Sequence, residues 1–439
     1  MSQRLPSPAY AWYTAILLTV VYVFSFVDRY ILGLLVEPIK LDLGLTDTEI
    51  GLLLGPAFAL LYTTMGVPIG WLADRWRRTW IVGIGVVLWS IATAACGLAK
   101  NFGQLFLARI SVGVGEATLS PCALPMIADS FPPEKRGKPV AFYSAALSLG
   151  AGIASLAGAS VLIWSKSAGQ LSLPLVGDLQ AWQFAFIAVG TPGILLGILM
   201  FLLREPARQE QVGLSAAGKP GLRIAANYLL DDRGFFAGFV AIVCVMTIIA
   251  YSQGWLPAMF ARTWGWPAEK YALFNGLMML AIGPLTVNST GWYIDRLFNR
   301  GYVDAPVRMM IVGTLILVPT GSIAPLMPTG ELAFAVFALN LVGIAMVSAA
   351  APTALLNVTA GEIRSQVTAV YFLVIGVTGL MLGPTAIGAL NDYVFGAENA
   401  RYSVAVVPAA FGLPLLLTLR ATLRRYRQRV ARLQTIADS

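Results

Sequence analysis

The sequence predicts an all-α membrane protein, twelve transmembrane helices in two pseudo-symmetric six-helix bundles with both termini cytoplasmic. Three observations predict it. Of 439 residues 57% are apolar and only 12% charged, about half the charge of an ordinary soluble domain, and the mean hydropathy is +0.74. Twelve apolar stretches follow one another, each near the roughly 20 residues that a spanning helix needs, with short polar or Gly/Pro-bearing turns between them. Two short motifs of the first half recur in the second.

In chain order the spans fall at 12–35, 48–73, 79–99, 103–128, 138–163, 182–203, 235–258, 268–294, 305–326, 331–358, 366–390 and 401–420. The segment before the first span is polar and proline-bearing, and no small-residue cleavage site follows that span, so it is expected to remain as a helix. The organisation is then an N-terminal six-helix bundle (1–203), a linker (204–233) rich in Gly, Pro and charge, a C-terminal bundle (234–420) and a basic tail (421–439).

The net charge of +8 reads as topology. With the amino terminus inside, 22 of the 30 Lys and Arg lie in cytoplasmic segments, the asymmetry that orients inner-membrane proteins. Arg420, Arg424, Arg425, Arg427 and Arg429 are expected against anionic lipid rather than nucleic acid. Cys96, Cys122 and Cys244 stand singly in apolar runs, so neither a disulfide framework nor a metal centre is indicated. No cofactor is expected, and the protein is read as a monomer.

GWLADR at 70–75 returns as GWYIDR at 291–296, each closing an apolar span. Glu134, Arg136 and Tyr143 return as Glu362, Arg364 and Tyr371 at a constant offset. Both echoes bridge corresponding helices, as expected of parallel repeats that rock about a central substrate site.

Four charges fall inside spans: Asp28, Arg29, Arg109 and Glu116. An unpaired charge at mid-membrane costs about 2.5–3.5 kcal/mol on insertion scales, so such residues pair or face water and mark pathways. Arg109 and Glu116 are seven residues apart, two turns on one helix face, about 10 Å along the axis. Asp28 is expected to pair with Arg109, with Glu116 deeper along the same wall. Arg29, about 100° round from Asp28, is left for substrate or another partner. Making or breaking such a pair changes how readily a buried carboxylate takes a proton. In a chain without histidine, Asp28 and Glu116 are the acids available for a relay, which makes the proton the expected coupling ion.

At the cytoplasmic ends, Asp74, Arg75, Arg77 and Arg78 close the second span and Asp129 the fourth, an acid–base cluster suited to latching that side. Gly113 and Gly115 allow close helix approach; as a nucleotide-binding GxG they lack a strand and a third glycine. Gly213 to Lys219 has GxxxxGK spacing, but Pro220 replaces the required hydroxyl residue, which disfavours an ATP-driven pump. The lack of histidine and of an acidic loop cluster argues against a lipid-modifying enzyme. Tyr62, Tyr251, Ser252 and Gln253, at mid-span, are the candidate polar groups of an otherwise apolar substrate cavity.

GWLADRWRR resembles the loop signature GxxxDRxGR(R/K) of the major facilitator superfamily, with Arg77 in place of the glycine and Thr79 where a base is usual. The resemblance implies a cytoplasmic gate of Gly70, Asp74, Arg75 and Arg78. Arg109 with Gly113 and Gly115 is similar to the superfamily's RxxxGxG motif, associated with proton coupling. FVDRY at 26–30 and ARISVGVGEATLSPCALPMIADSF at 108–131 resemble the Spinster family of lysolipid and sphingolipid transporters, over roughly 20–160. That resemblance implies a proton-responsive network of Asp28, Arg109 and Glu116, with Arg29 beside it, and an amphiphilic substrate such as a lysophospholipid. The alternative expectation is a carrier of the same fold for a small organic anion or drug, bound directly by Arg29 or Arg109.

Overall fold

The computed structural model describes residues 5–73, 75–132, 135, 137–167, 171–173, 177–207, 233–359 and 364–438. Among the described residues ten helices are long and apolar enough to cross a membrane, and a bent pair, Ala397–Leu416 with Leu419–Arg432, makes an eleventh. The twelfth expected span is the helix Gly137–Ser167, whose apolar part described in full is the shorter stretch Leu149–Trp164. The linker expected at 204–233 falls largely outside the described residues. So do Asp74, Glu134, Arg136 and Glu362.

The chain forms two compact units. The first holds α1 (Pro8–Leu34), α2 (Val36–Leu43), α3 (Asp47–Leu54), α4 (Pro56–Ala73), α5 (Arg78–Cys96), α6 (Phe102–Glu116), α7 (Leu119–Ser130), α8 (Gly137–Ser167) and α9 (Ala181–Leu202). It also takes in Leu256–Ala261 and Gly265–Leu280. The helix starts are legible chemistry. Ser7 caps α1, whose first residue is Pro8, and Thr46 with Glu49 forms a capping box at α3.

Prolines explain where long apolar runs break. The second span divides at Gly55 before Pro56. The fourth divides at Ala117 and Thr118, because Pro121 has no N–H to offer the Ala117 carbonyl. Within this unit α5 packs on α9 and α6, and α1 on α8. A two-stranded hairpin, β1 (Leu171–Leu173) and β2 (Gly177–Leu179), joins α8 to α9, with Ser172 opposite Asp178. It is the small β element that apolar periodicity did not signal.

The second unit contains α10 (Arg233–Ser252), most of α12 (Ala268–Phe298), α13 (Ala305–Ile323), α14 (Gly330–Asn357), α15 (Arg364–Gly376), α16 (Gly383–Leu390), α17 (Ala400–Leu416) and α18 (Leu419–Asp438). Between α10 and α12 lies α11 (Leu256–Trp264). Phe235, Phe239, Val243, Met310, Leu317, Val347 and Tyr426 lie in its apolar core. A π-helical turn, Val377–Leu382, separates α15 from α16, where Pro384 leaves the Leu380 carbonyl without its helical donor.

Candidate functional site

The four charges of the spans converge in the first unit, with partners other than those expected. Arg29 reaches one oxygen of Glu116 twice, Nε–Oε2 at 2.6 Å and Nη2–Oε2 at 2.5 Å. Arg109 donates through Nη1 to the main-chain carbonyl of Asp28 at 3.2 Å. The expected Asp28–Arg109 carboxylate pair is therefore corrected. Residue 29, and not residue 28, meets the carboxylate of α6, since consecutive helix positions point about 100° apart. Glu116 is Arg29's partner and not an isolated group deeper in the wall.

Asp28 is 0% exposed, and neither of its carboxylate oxygens has a hydrogen bond at ordinary geometry. Its electrostatic neighbours are Glu116, Arg109, Arg29 and the hydroxyl of Thr93. Arg109 Nε and Glu116 Oε1 are likewise buried without partners. Buried polar atoms are nearly always satisfied, so these orphans around one carboxylate set the cluster apart from ordinary packing. With all four groups ionised their charges sum to zero.

Aromatic rings surround the guanidinium of Arg29. Its carbon lies 4.6 Å from the Tyr62 ring centroid, 4.7 Å from Phe58 and 5.6 Å from Phe26, and Tyr62 stacks on Phe58. Each such contact is worth about 0.5–2 kcal/mol. The side chain is 18% exposed while that of Glu116 is buried, so the pair presents an apolar-edged cation. Tyr62 is thus beside the charges. Phe26 and Phe58 are not legible in the sequence as part of the site, because single aromatics in apolar runs carry no distinguishing signal.

Gly113 and Gly115 hold α6 close. A Cβ on Gly113 would stand 2.4 Å from the Phe58 carbonyl oxygen of α4, and one on Gly115 2.7 Å from Gly85 and Trp89 of α5. The charges are presented by a helix that carries no side chain at either of these two approaches.

In the second unit Tyr251 is 38% exposed. Gln253 donates to Asn340 Oδ1 at 3.1 Å. Ser252 is a correction: it is buried, and its hydroxyl is spent on the Ile248 carbonyl at 2.7 Å, so it is packing rather than cavity lining.

The expected gate residues divide. Arg78 is buried and bonds Asp129 Oδ2 (2.7 Å), Glu205 Oε1 (2.7 Å) and the Pro206 carbonyl (3.1 Å), while Glu205 also accepts from the Thr79 N–H. Glu205 was missed. Its signal was an acid set directly before a proline at the end of a span. Arg75 instead turns back on its own helix, 4.0 Å from the Trp71 ring and bonded to the Trp71 carbonyl. A Cβ on Gly70 would find its nearest neighbour, Pro121 Cβ, at 3.9 Å, so no close contact demands the glycine.

The repeats hold at side-chain level. Arg296 lies over Trp292 as Arg75 lies over Trp71. Tyr143 stacks on Tyr22 of α1, and Tyr371 lies against Phe239 of α10, so each unit sets the echoed tyrosine on its own first helix.

Residues 18–384 match the Major Facilitator Superfamily. The chain belongs to that superfamily. It is a multi-pass secondary transporter that works by alternating access, and not an enzyme.

Among relatives, an MFS-type efflux pump of Mycolicibacterium smegmatis is 29% identical over 96% of this chain and 94% of its own. A probable L-galactonate transporter of Escherichia coli is 33% identical over 65% of this chain and 61% of its own. The protein spinster of Drosophila melanogaster is 27% identical over 56% of this chain and 38% of its own. A bacterial homologue of the human lysosomal transporter Spinster, solved in an inward-facing, occupied conformation, superposes with a TM-score of 0.77 over 97% of both chains at 23% identity. The Spinster resemblance is thus shared with other superfamily branches.

Proposed function

We propose that this superfamily member is a proton-coupled carrier of a lysophospholipid, sphingolipid-like or other amphiphile, placed in the inner membrane with both termini cytoplasmic. The observation that carries the reading is the Asp28 carboxylate, wholly buried and with no hydrogen bond at ordinary geometry, beside an Arg29–Glu116 pair. A proton taken up there leaves one net positive charge in the cluster. The cost of that burial falls if the substrate brings an acidic group to Arg29. Coupling would draw about 2.3 kcal/mol per charge per 100 mV and about 1.4 kcal/mol per pH unit.

The rings of Tyr62, Phe58 and Phe26 around Arg29 favour a substrate with an apolar body and few polar groups. The resemblance of 26–30 and 108–131 to the Spinster family supports the lipid reading. Gly70, Asp74, Arg75, Arg78 and Asp129 are assigned to the cytoplasmic gate, and Tyr62, Tyr251 and Gln253 to the substrate path.

A second reading, a small organic anion or drug held by Arg29, is favoured by the E. coli relative, a probable L-galactonate transporter. Thermal stabilisation of the purified protein separates the two. The lipid reading expects a lysophospholipid to raise the melting temperature, and stabilisation by an aromatic or sugar acid alone overturns it. In proteoliposomes, Asp28→Asn is expected to flatten the pH dependence of uptake and Glu116→Gln to alter it. Unchanged pH profiles in both variants remove the coupling assignment.

A further inference from the structure

Helical Ser and Thr in this chain habitually return their hydroxyl to the carbonyl three or four residues back. Thr19, Thr63, Ser111, Ser130, Thr191 and Thr314 all do so, at 2.6–3.0 Å. In a membrane this is the ordinary way for a hydroxyl to be satisfied. Ser90 and Thr93 of α5 are exceptions. Both are 0% exposed, and neither Ser90 Oγ nor Thr93 Oγ1 has a hydrogen bond at ordinary geometry. Three residues apart, they share a helix face.

That face is turned toward the charges. Thr93 is the hydroxyl neighbour of the Asp28 carboxylate. Ser90, one turn nearer the Arg78 end of α5, lies against α9 and α1, where a Cβ at Gly193 would meet both its Oγ and Phe24. The titratable and charged groups about Asp28 are Arg29 on α1, Arg109 and Glu116 on α6 and the Cys96 thiol on α5. α9 carries no charged residue, and α8 carries lysines only near its ends, Lys138 and Lys166.

We propose that Thr93 is a positioning residue of the proton site, its free hydroxyl donating to the ionised Asp28 carboxylate and accepting from the protonated one, with Ser90 as the next hydroxyl toward the Arg78 end. A hydroxyl that is not bonded back to its own helix can reverse its role by rotating about one C–O bond. The same side chain can then serve both protonation states of Asp28. The idea rests on Asp28 being the proton-binding group, and it adds the residue that makes both states tolerable.

The test needs no substrate. The C=O stretch of protonated carboxylic acids is followed by infrared spectroscopy as pH is varied, on purified wild type and on Asp28→Asn, Thr93→Val and Thr93→Ser, with melting temperatures recorded as a check on folding. Asp28→Asn is expected to delete one titrating acid band. Thr93→Val, close to Thr in shape but without a hydroxyl, is expected to keep that band, change its frequency and displace its titration by about one pH unit, the difference between a charge-assisted and a neutral hydrogen bond. Thr93→Ser is expected to restore both. If Thr93→Val titrates like wild type while Asp28→Asn loses the band, the role of Thr93 is overturned and the Asp28 reading stands. If Asp28→Asn loses no band, both fall.

Discussion

Arg29 is gripped on two sides, by a fully buried carboxylate oxygen and by the rings of Phe58 and Tyr62. Removing one partner of such a pair leaves the other charge buried and alone, a loss of about 3–5 kcal/mol, whereas replacing both with apolar groups of similar size is often neutral. Glu116→Leu is therefore expected to lower thermal stability far more than the double variant Arg29→Met/Glu116→Leu. Equal losses in a melting experiment would show that the pair contributes little. At this scale the sequence identified the four charges and mispaired them. The seven-residue spacing of Arg109 and Glu116 puts both on one face of α6. Which of two consecutive residues on α1 meets that face depends on the roll of α1, which packing decides. Thr93 and Ser90 were illegible for a related reason, since a hydroxyl's freedom shows only when its helix-carbonyl bond is seen to be missing.

Among elements, α6 tolerates no added carbon at its closest approaches. Gly113→Ala is expected to cost about 1–3 kcal/mol by overpacking against the α4 backbone, while Gly70→Ala, with ordinary contact distance around it, should leave the melting temperature nearly unchanged. A reversal of that order would mean that the α4–α6 approach is looser than its geometry.

The basic tail is an element of its own. α18 lays Tyr426 and Thr422 into the second unit, and Arg427 bonds Asp304 at 2.5 Å, while Arg425 donates to the Gly234 carbonyl at 2.7 Å. The tail expected against lipid is thus also a clasp on its own unit, with Arg420 and Arg424 on the outer side. Burial pushes the Asp304 carboxyl up, but the guanidiniums of Arg427 and Arg308 outweigh it and hold the group below its ordinary value. A carboxylate so depressed contributes stability in full above its unfolded value, about 3.9, and loses it as pH falls through the lower folded one. Asp304→Asn should be less stable than wild type at neutral pH and converge with it in strong acid, as read from melting curves. A gap that persists at the lowest pH would point to packing instead.

For the whole molecule, hydropathy made the long helices legible and left two features unread. Prolines divided spans that the apolar pattern presents as continuous, at Pro56, Pro121 and Pro384. The hairpin after α8 consists of six paired residues, too few for alternation to register. The duplication, by contrast, survives below the level of motif. Tyr143 on Tyr22 and Tyr371 beside Phe239 show that what has been kept is a packing relation between a later and a first helix in each unit.

Trp71 and Trp292, each about half exposed beneath its own arginine, make that inheritance measurable with light. A positive charge resting on indole perturbs its excited state, so each unit carries a native ultraviolet lamp with its dimmer attached. Replacing Arg75 or Arg296 by Gln releases one lamp at a time, and the emission lost with Trp71→Phe or Trp292→Phe says which unit was being watched.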